Sequence, residues 1–260
     1  VLIDRSGGNS AAPAQPDSSI PRGTSPYRAE TVKLERVFED GASKLDNAPG
    51  EVMQRKVYRH EAVVSGLRAG EALQYWVQSR SVAGETFEAG PFRLQPLPAA
   101  GAPLQILLTS DQQERFNTLA NYQKVAELFP ELDAVFFAGD LANHPRRASE
   151  WFDNRRAAWE SNPTASRPAF FPALQGTFEN YVSTTPYTGG QILQNTPLFP
   201  AIANHEVSGR FRPNQVVEIN GSPRSIAIND MFGDPQPRWY AEYRYDQAKD
   251  IVNPGGDPAL

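Results

Sequence analysis

Three short apolar runs that each end at a polar residue constrain the fold of this chain more than any other feature. The runs cover residues 104–110, 134–138 and 197–203. The polar residues that follow them are, in chain order, Asp111, Asp140 and Asn204-His205-Glu206. Apolar runs of this length predict buried strands. Because ligands of an open α/β sheet bind at the carboxyl ends of its strands, we expect these polar residues to share one edge.

Apolar residues recur at helical spacing between these runs. The first such stretch contains Leu119, Tyr122, Val125 and Phe129, and the second contains Ala148, Trp151 and Ala158-Trp159. Both stretches predict helices. A chain that alternates strand, helix, strand, helix and strand is typical of an α/β fold with parallel pairing and right-handed crossovers.

Asp140 is the strongest candidate for a metal ligand. Gly139 allows the backbone to turn sharply at the strand end, and a carboxylate there can bridge two cations ~3.5–4 Å apart. Asp111 ends the preceding strand, at a separation from Asp140 that suits one βαβ unit. The alternative is that both aspartates only cap helices or turns after buried strands.

The polar blocks resemble those of the calcineurin-like metallophosphoesterase superfamily, which run D-x-H, then G-D, then G-N-H-[D/E]. In this chain they stand as Asp111-Gln112-Gln113, Gly139-Asp140 and Ala203-Asn204-His205-Glu206. The later blocks of the family, a lone His and then G-H-x-H, are absent, because no histidine follows His205. The resemblance therefore implies the first half of a metallophosphoesterase domain, with an incomplete site.

The resemblance also implies a role for each residue of a two-metal site. Asp140 would bridge two divalent ions in the full-length protein, with Asp111 and Asn204 as terminal ligands. His205 would protonate or stabilise the leaving oxygen, and Glu206 would set the tautomer of His205 by accepting from its far ring nitrogen. The implied activity is metal-dependent hydrolysis of a phosphoric ester, by a phosphatase or phosphodiesterase.

Three residues depart from the family pattern. Gln113 stands where most of the superfamily has histidine, and its carbonyl would bind a hard cation only weakly. Asn143 stands where purple acid phosphatases have a tyrosine, and Ala203 replaces the glycine of the third block. With the missing histidines, these departures favour an alternative function as a non-catalytic metallophosphoesterase-like subunit with a structural or assembly role.

The residues before the first apolar run show the alternation of short strands. Leu73, Tyr75 and Val77 alternate with their neighbours at a period of two. Together with residues 60–67, this stretch resembles the fibronectin-type-III-like module that precedes the catalytic domain in purple acid phosphatases. We therefore predict an irregular segment at 1–26, an incomplete β-sandwich module of this type at 27–98, and the N-terminal half of a metallophosphoesterase α/β sandwich at 99–260.

Composition and charge argue against some classes of binding partner. The net charge of −5 argues against a nucleic-acid binder, and no apolar run approaches the ~20 residues of a membrane span. The chain has no cysteine, which removes disulfide and thiolate chemistry. A phosphate ester is the expected substrate, and incorporation into a larger assembly would suit a fragment of this kind. We expect a periplasmic or extracellular protein, although this chain carries no signal sequence.

The number of candidate ligands predicts how many metal ions this chain can hold. Two neighbouring cations repel, so a dinuclear site needs a bridging carboxylate and several terminal ligands. Asp140, Asp111, Asn204 and Gln113 suffice for one weakly held ion with several waters. We therefore expect this chain alone to be inactive.

Overall fold

The structure, a computed structural model, describes most of the first 200 residues and short pieces beyond them. The described residues are 2–4, 24–34, 37–43, 45, 47–94, 96–115, 117–153, 158–159, 162–179, 187–201, 203, 205, 244–246 and 251–253. The strands before residue 100 are β1 (Leu2–Asp4), β2 (Thr24–Pro26), β3 (Glu30–Leu34), β4 (Phe38–Glu39), β5 (Met53–Gln54), β6 (Val57–Glu61), β7 (Leu73–Arg80) and β8 (Thr86–Leu94). The elements after it are β9 (Ile106–Thr109), α1 (Thr118–Leu128), β10 (Ala134–Phe137), α2 (Ala148–Phe152), β11 (Ala158–Trp159), β12 (Asn162–Ser166), α3 (Phe170–Gln175), β13 (Leu198–Pro200), β14 (Arg244–Asp246) and β15 (Ile251–Asn253).

The three apolar runs form one parallel sheet in the order β13-β10-β9. Phe136 at its centre lies opposite Phe199 on one side and Leu108 on the other. The predicted strands and their parallel pairing are confirmed, which brings the carboxyl ends of all three strands to one edge.

The helices agree with the sequence in part. The prediction of α1 is confirmed, whereas α2 ends at Phe152, and Ala158–Trp159 pairs with β12 instead of continuing the helix. Helix α3 was not predicted, because six residues are too few to show a helical period. Its buried residues include Phe170 and Leu174, and Gly176 ends it in the left-handed conformation with a φ of 69°.

A single hydrophobic core joins the α/β part to the β-rich part that precedes it. Trp151, Phe137 and Phe170 are fully buried at its centre, with Phe170 edge-on to both other rings. Leu34 and Val37 from the β-rich part belong to the same core. Described residues on both sides of the predicted boundary near residue 98 therefore contribute to this core, and the boundary itself stays a prediction.

The β-rich part contains a four-stranded antiparallel sheet in the order β2-β1-β7-β8 and two small sheets, β3-β6 and β4-β5. These sheets do not establish the predicted β-sandwich, which stays a prediction. The prediction that residues 1–26 are irregular is wrong for β1 and β2, since β1 pairs with both β2 and β7. Long-range pairing satisfies the backbone groups of β1 and β2. The composition of residues 6–26 gives no sign of β2, whereas Val1-Leu2-Ile3 is an apolar run typical of a strand end.

The described residues near the end of the chain form a separate hairpin of β14 and β15. We predicted that the last ten residues would contain no strand of the main sheet, and this is confirmed for the described residues 251–253, which pair with β14. No helix among the described residues is long and apolar enough to cross a membrane.

Among the residues that the structure describes, only one face of the parallel sheet packs against helices. On that face Val135 is fully buried, whereas on the other face Leu108 is 75% exposed and Phe136 is 42% exposed. The rings of Phe136 and Phe199 stack there at 5.1 Å between centroids. Parallel sheets are usually covered on both faces, so among the described residues this sheet is half-covered.

Two charged contacts connect β4 to α2. The buried carboxylate of Glu39 accepts from the backbone N–H of Ser149 at 2.6 Å and from its hydroxyl at 3.0 Å. Arg147 donates to both carboxylate oxygens of Asp40, at 3.1 and 3.3 Å. A bidentate contact of this kind fixes the orientation of β4 relative to α2.

The Asp40–Arg147 contact should make the stability of the chain depend on acid pH. Burial acts to raise the pKa of Asp40, but the hydrogen bond and charge of Arg147 outweigh burial and lower this pKa. The contact therefore stabilises fully above the unfolded-state pKa of about 3.9, and this stability is lost as the pH falls through the lower folded-state pKa. In urea titrations from about pH 6 to pH 2, the stability of Asp40→Asn and of the original chain should converge as the pH falls. Parallel curves would contradict this prediction.

Candidate functional site

The ends of β9 and β10 bring Asp111 and Asp140 together, as the sequence predicts. The backbone N–H of Asp111 donates to the carbonyl of Gly139 at 3.1 Å, which ties the two strand ends to each other. Asp140 is buried, and Asp111 is exposed at the rim. The two carboxylates thus lie at the carboxyl edge of neighbouring parallel strands, where α/β sheets bind ligands.

The backbone is strained where these side chains begin. Among the described residues, the non-glycine residues with positive φ are Asp111 at 55°, Gln113 at 37°, Glu114 at 63° and Asp140 at 58°. This region costs an L-residue free energy and persists only where the surrounding structure enforces it. Concentration of all four at one sheet edge marks that edge as a candidate functional site.

Gly139 is required at the turn before Asp140. Its φ is 91°, and a Cβ added there would lie 2.4 Å from the Cβ of Ala203. Ala203 therefore packs directly against the one position of this turn that has no side chain. The third strand end is held close to the second by this contact.

The side-chain amide of Gln113 lies between the two carboxylates. Its nitrogen donates to Asp140 Oδ2 at 2.8 Å and to Asp111 Oδ1 at 3.4 Å. Its oxygen accepts from Arg115 at 3.2 Å. Gln113 thus turns its nitrogen to the aspartates, and its predicted role as an oxygen ligand would need the amide to rotate.

The second oxygen of Asp140 also has a partner. The backbone N–H of His205 donates to Asp140 Oδ1 at 3.0 Å. This bond brings the residue after the third strand to the same carboxylate as Gln113. Asn204 and Glu206, which we also predicted for the site, lie outside the described residues.

The ring of His205 is buried and oriented by Asn143. Its Nδ1 lies 2.8 Å from the backbone carbonyl of Asn143. A carbonyl can only accept, so Nδ1 carries the hydrogen and Nε2 is the nitrogen that can accept or deliver a proton. We predicted that Glu206 would set this tautomer; among the described residues the Asn143 carbonyl does so.

A buried carboxylate supports the loop that carries Asn143. Glu150, 1% exposed, accepts from the backbone N–H of His144 at 2.6 Å and from His144 Nδ1 at 2.9 Å. Arg147 lies 3.6 Å from the same carboxylate. Sequence reasoning missed Glu150, Arg115 and the role of the Asn143 backbone, because none of them belongs to a spaced motif.

The described part of the site offers two carboxylates, which are fewer ligands than a two-metal site needs. The oxygens of Asp111 and Asp140 converge on a single nitrogen atom, and hard oxygen ligands of this kind suit magnesium, calcium or manganese. No group of three His, Cys, Asp or Glu side chains among the described residues is arranged to hold a metal ion. A second ion would need ligands from other parts of the protein.

Comparison with known proteins gives similarity to solved structures only. No family model and no curated protein matches the sequence. Solved structures similar to the chain include a purple acid phosphatase isolated from yellow lupin (Lupinus luteus) seeds, at 14% identity and a TM-score of 0.49. The match covers 94% of this chain and 37% of the lupin chain, so this chain spans little more than a third of that enzyme's length.

Proposed function

We propose that this chain is the N-terminal part of a metal-dependent phosphoric ester hydrolase. One observation carries the proposal: Asp111 and Asp140, at the ends of neighbouring parallel strands, converge on a single atom, and the backbone N–H of His205 donates to the same Asp140 carboxylate. A carboxylate pair at that edge is suited to a cation, and a neighbouring imidazole is suited to proton transfer. The strained backbone at both aspartates supports the same edge as the site of function.

Each site residue of this chain has its own role in the proposed reaction. Asp140 and Asp111 would hold one divalent ion, and a bound ion supplies Lewis-acid stabilisation and an activated water. His205 donates its Nδ1 hydrogen to the Asn143 carbonyl, which leaves Nε2 as the ring atom that, in the imidazolium form, would deliver a proton to the leaving oxygen. The Asn143 carbonyl therefore acts on His205 as a positioning group.

A non-catalytic subunit is the second candidate, and a specific observation favours it. Both oxygens of Asp140 already accept hydrogen bonds, from Gln113 and from the His205 backbone. A buried carboxylate satisfied in this way does not need a metal ion to remain stable in the fold. Such a site could persist in a protein that serves only as a scaffold.

Asp140→Asn in the full-length product of the gene should separate the two candidates. Asparagine keeps the size of the side chain and removes the charge that holds the cation, so hydrolysis of an aryl phosphate monoester or diester in the presence of Mn²⁺ should fall by about a hundredfold or more. Glu131→Gln is the control, because Glu131 is an exposed carboxylate paired with Arg93. An inactive, metal-loaded full-length protein would favour the scaffold, and equal activity of both variants would remove Asp140 from the mechanism.

A further inference from the structure

The Gln113 amide nitrogen lies at the point where the two carboxylates converge. It contacts one oxygen of each aspartate, at 2.8 and 3.4 Å, and Gln113 is 6% exposed. The hydrogens of the amide NH₂ group carry a partial positive charge. They therefore attract the two carboxylates, as a bound cation would. The two aspartates therefore have an internal partner at the point where they converge.

Arg115 holds this amide in place. Its guanidinium donates to the Gln113 oxygen at 3.2 Å, so the amide cannot present that oxygen to the aspartates without losing the contact. The guanidinium also places a permanent positive charge one side chain away from the carboxylates. Both effects disfavour a second positive charge at the same point.

We propose that Gln113, held by Arg115, competes with a divalent cation for the Asp111–Asp140 pair. The inference rests on the proposed function, because it assigns to this pair the binding of a metal ion. An ion such as Mn²⁺ enters only when the Gln113 side chain leaves, and its affinity is lowered by the hydrogen bonds that Gln113 gives up. Gln113 is thus the residue that sets the metal affinity of this site.

Removal of the Gln113 amide should strengthen the binding of a divalent cation to the two aspartates. Glycine at position 113 removes the side chain and adopts the φ of 37° without strain. Gln113→Gly in the 260-residue chain should bind Mn²⁺ about tenfold more tightly than the unsubstituted chain, since a hydrogen bond to a charged group is lost from the ion-free state. The measurement is the decrease of the free Mn²⁺ signal in electron paramagnetic resonance as protein is added.

Two further variants keep the test decisive. Gln113→Asn retains an amide that is one methylene too short to contact both aspartates, and asparagine tolerates positive φ; it should bind several-fold more tightly, and it decides the matter if the glycine variant is unfolded by circular dichroism. Arg115→Met should also tighten binding, by more than Lys124→Met, which removes an equal charge from the exposed side of α1. Equal effects of these two charge removals would overturn the role of Arg115.

Asp140→Asn in the Gln113→Gly background locates the ion. If Asp140→Asn removes the increase in Mn²⁺ affinity that Gln113→Gly produces, the proposal is supported. Gln113→Gly with unchanged or weaker affinity, or no measurable binding by either chain, overturns it. If Gln113→Gly leaves the affinity unchanged while Asp140→Asn abolishes binding, the competition is wrong and the proposed metal site stands. If the added ion survives Asp140→Asn, it is bound elsewhere, and both the inference and the proposed site fail.

Discussion

Gly139→Ala should lower the free energy of unfolding by about 3 kcal/mol or more, because two separate costs combine at this position. A non-glycine residue in the left-handed region costs about 1–2 kcal/mol, and an overpacked buried site costs about 1–3 kcal/mol. The new Cβ would lie 2.4 Å from Ala203 Cβ and 2.8 Å from the Ala203 backbone nitrogen. Urea unfolding followed by tryptophan fluorescence measures the change, since Trp151 is fully buried.

Gly101→Ala is the matched control. Gly101 has a similar φ of 86°, but a Cβ there would meet nothing within 4 Å. The loss in free energy of unfolding in Gly101→Ala therefore reports the conformational cost alone. The additional loss in Gly139→Ala is the steric cost at the site. Ala203→Gly should restore part of the loss in Gly139→Ala, because it removes the nearest contact but leaves the backbone nitrogen in place. Equal losses at positions 139 and 101 would contradict the packing described for the site.

Arg147→Met should destabilise the chain by about 3 kcal/mol, because it removes the cation between two acidic side chains. Arg147 is 6% exposed, donates to both oxygens of Asp40 and lies 3.6 Å from the buried Glu150. Methionine fills much of the same volume, so the loss reports uncompensated negative charge rather than a cavity. The measurement is again the urea midpoint at neutral pH.

Lys124→Met provides the comparison for a surface ion pair. Lys124 and Glu127 pair at 3.1 Å on the exposed side of α1, with side chains that are 65% and 50% exposed. Exposed pairs contribute about 1 kcal/mol or less. A loss in Arg147→Met no larger than in Lys124→Met would show that the β4–α2 contact does not stabilise the fold.

The sequence predicted the sheet that carries the site, for a physical reason. Each strand lies in a run of mostly apolar residues, a pattern that can be recognised without knowing the partner strands. In the structure the central strand β10 is largely buried, and β9 and β13 are half-buried to exposed. The polar residue after each run indicates where the strand ends. The sequence alone therefore places Asp111 and Asp140 at one edge of the sheet. The N-terminal strands could not be placed in the same way, because β1 is three residues long and is defined by its pairing with β2 and β7.

The contacts inside the site were harder to predict than its location. Gln113 was predicted as a weak oxygen ligand, but its amide orientation depends on Arg115, which belongs to no motif. The tautomer of His205 depends on a backbone carbonyl, and every residue has one, so residue type could not reveal Asn143. Motif spacing predicts which side chains meet, whereas the donors and acceptors between them depend on loop geometry.

The Gln113 amide between the two aspartates also has a genetic consequence. Glutamine and histidine codons differ only in the third base, so one base change at codon 113 exchanges a competitor for the ion with an imidazole that can bind it. The same change in reverse would turn a metal-binding site into one that is closed by its own side chain. One base change at this codon would therefore alter the metal affinity that we infer for the Asp111–Asp140 pair.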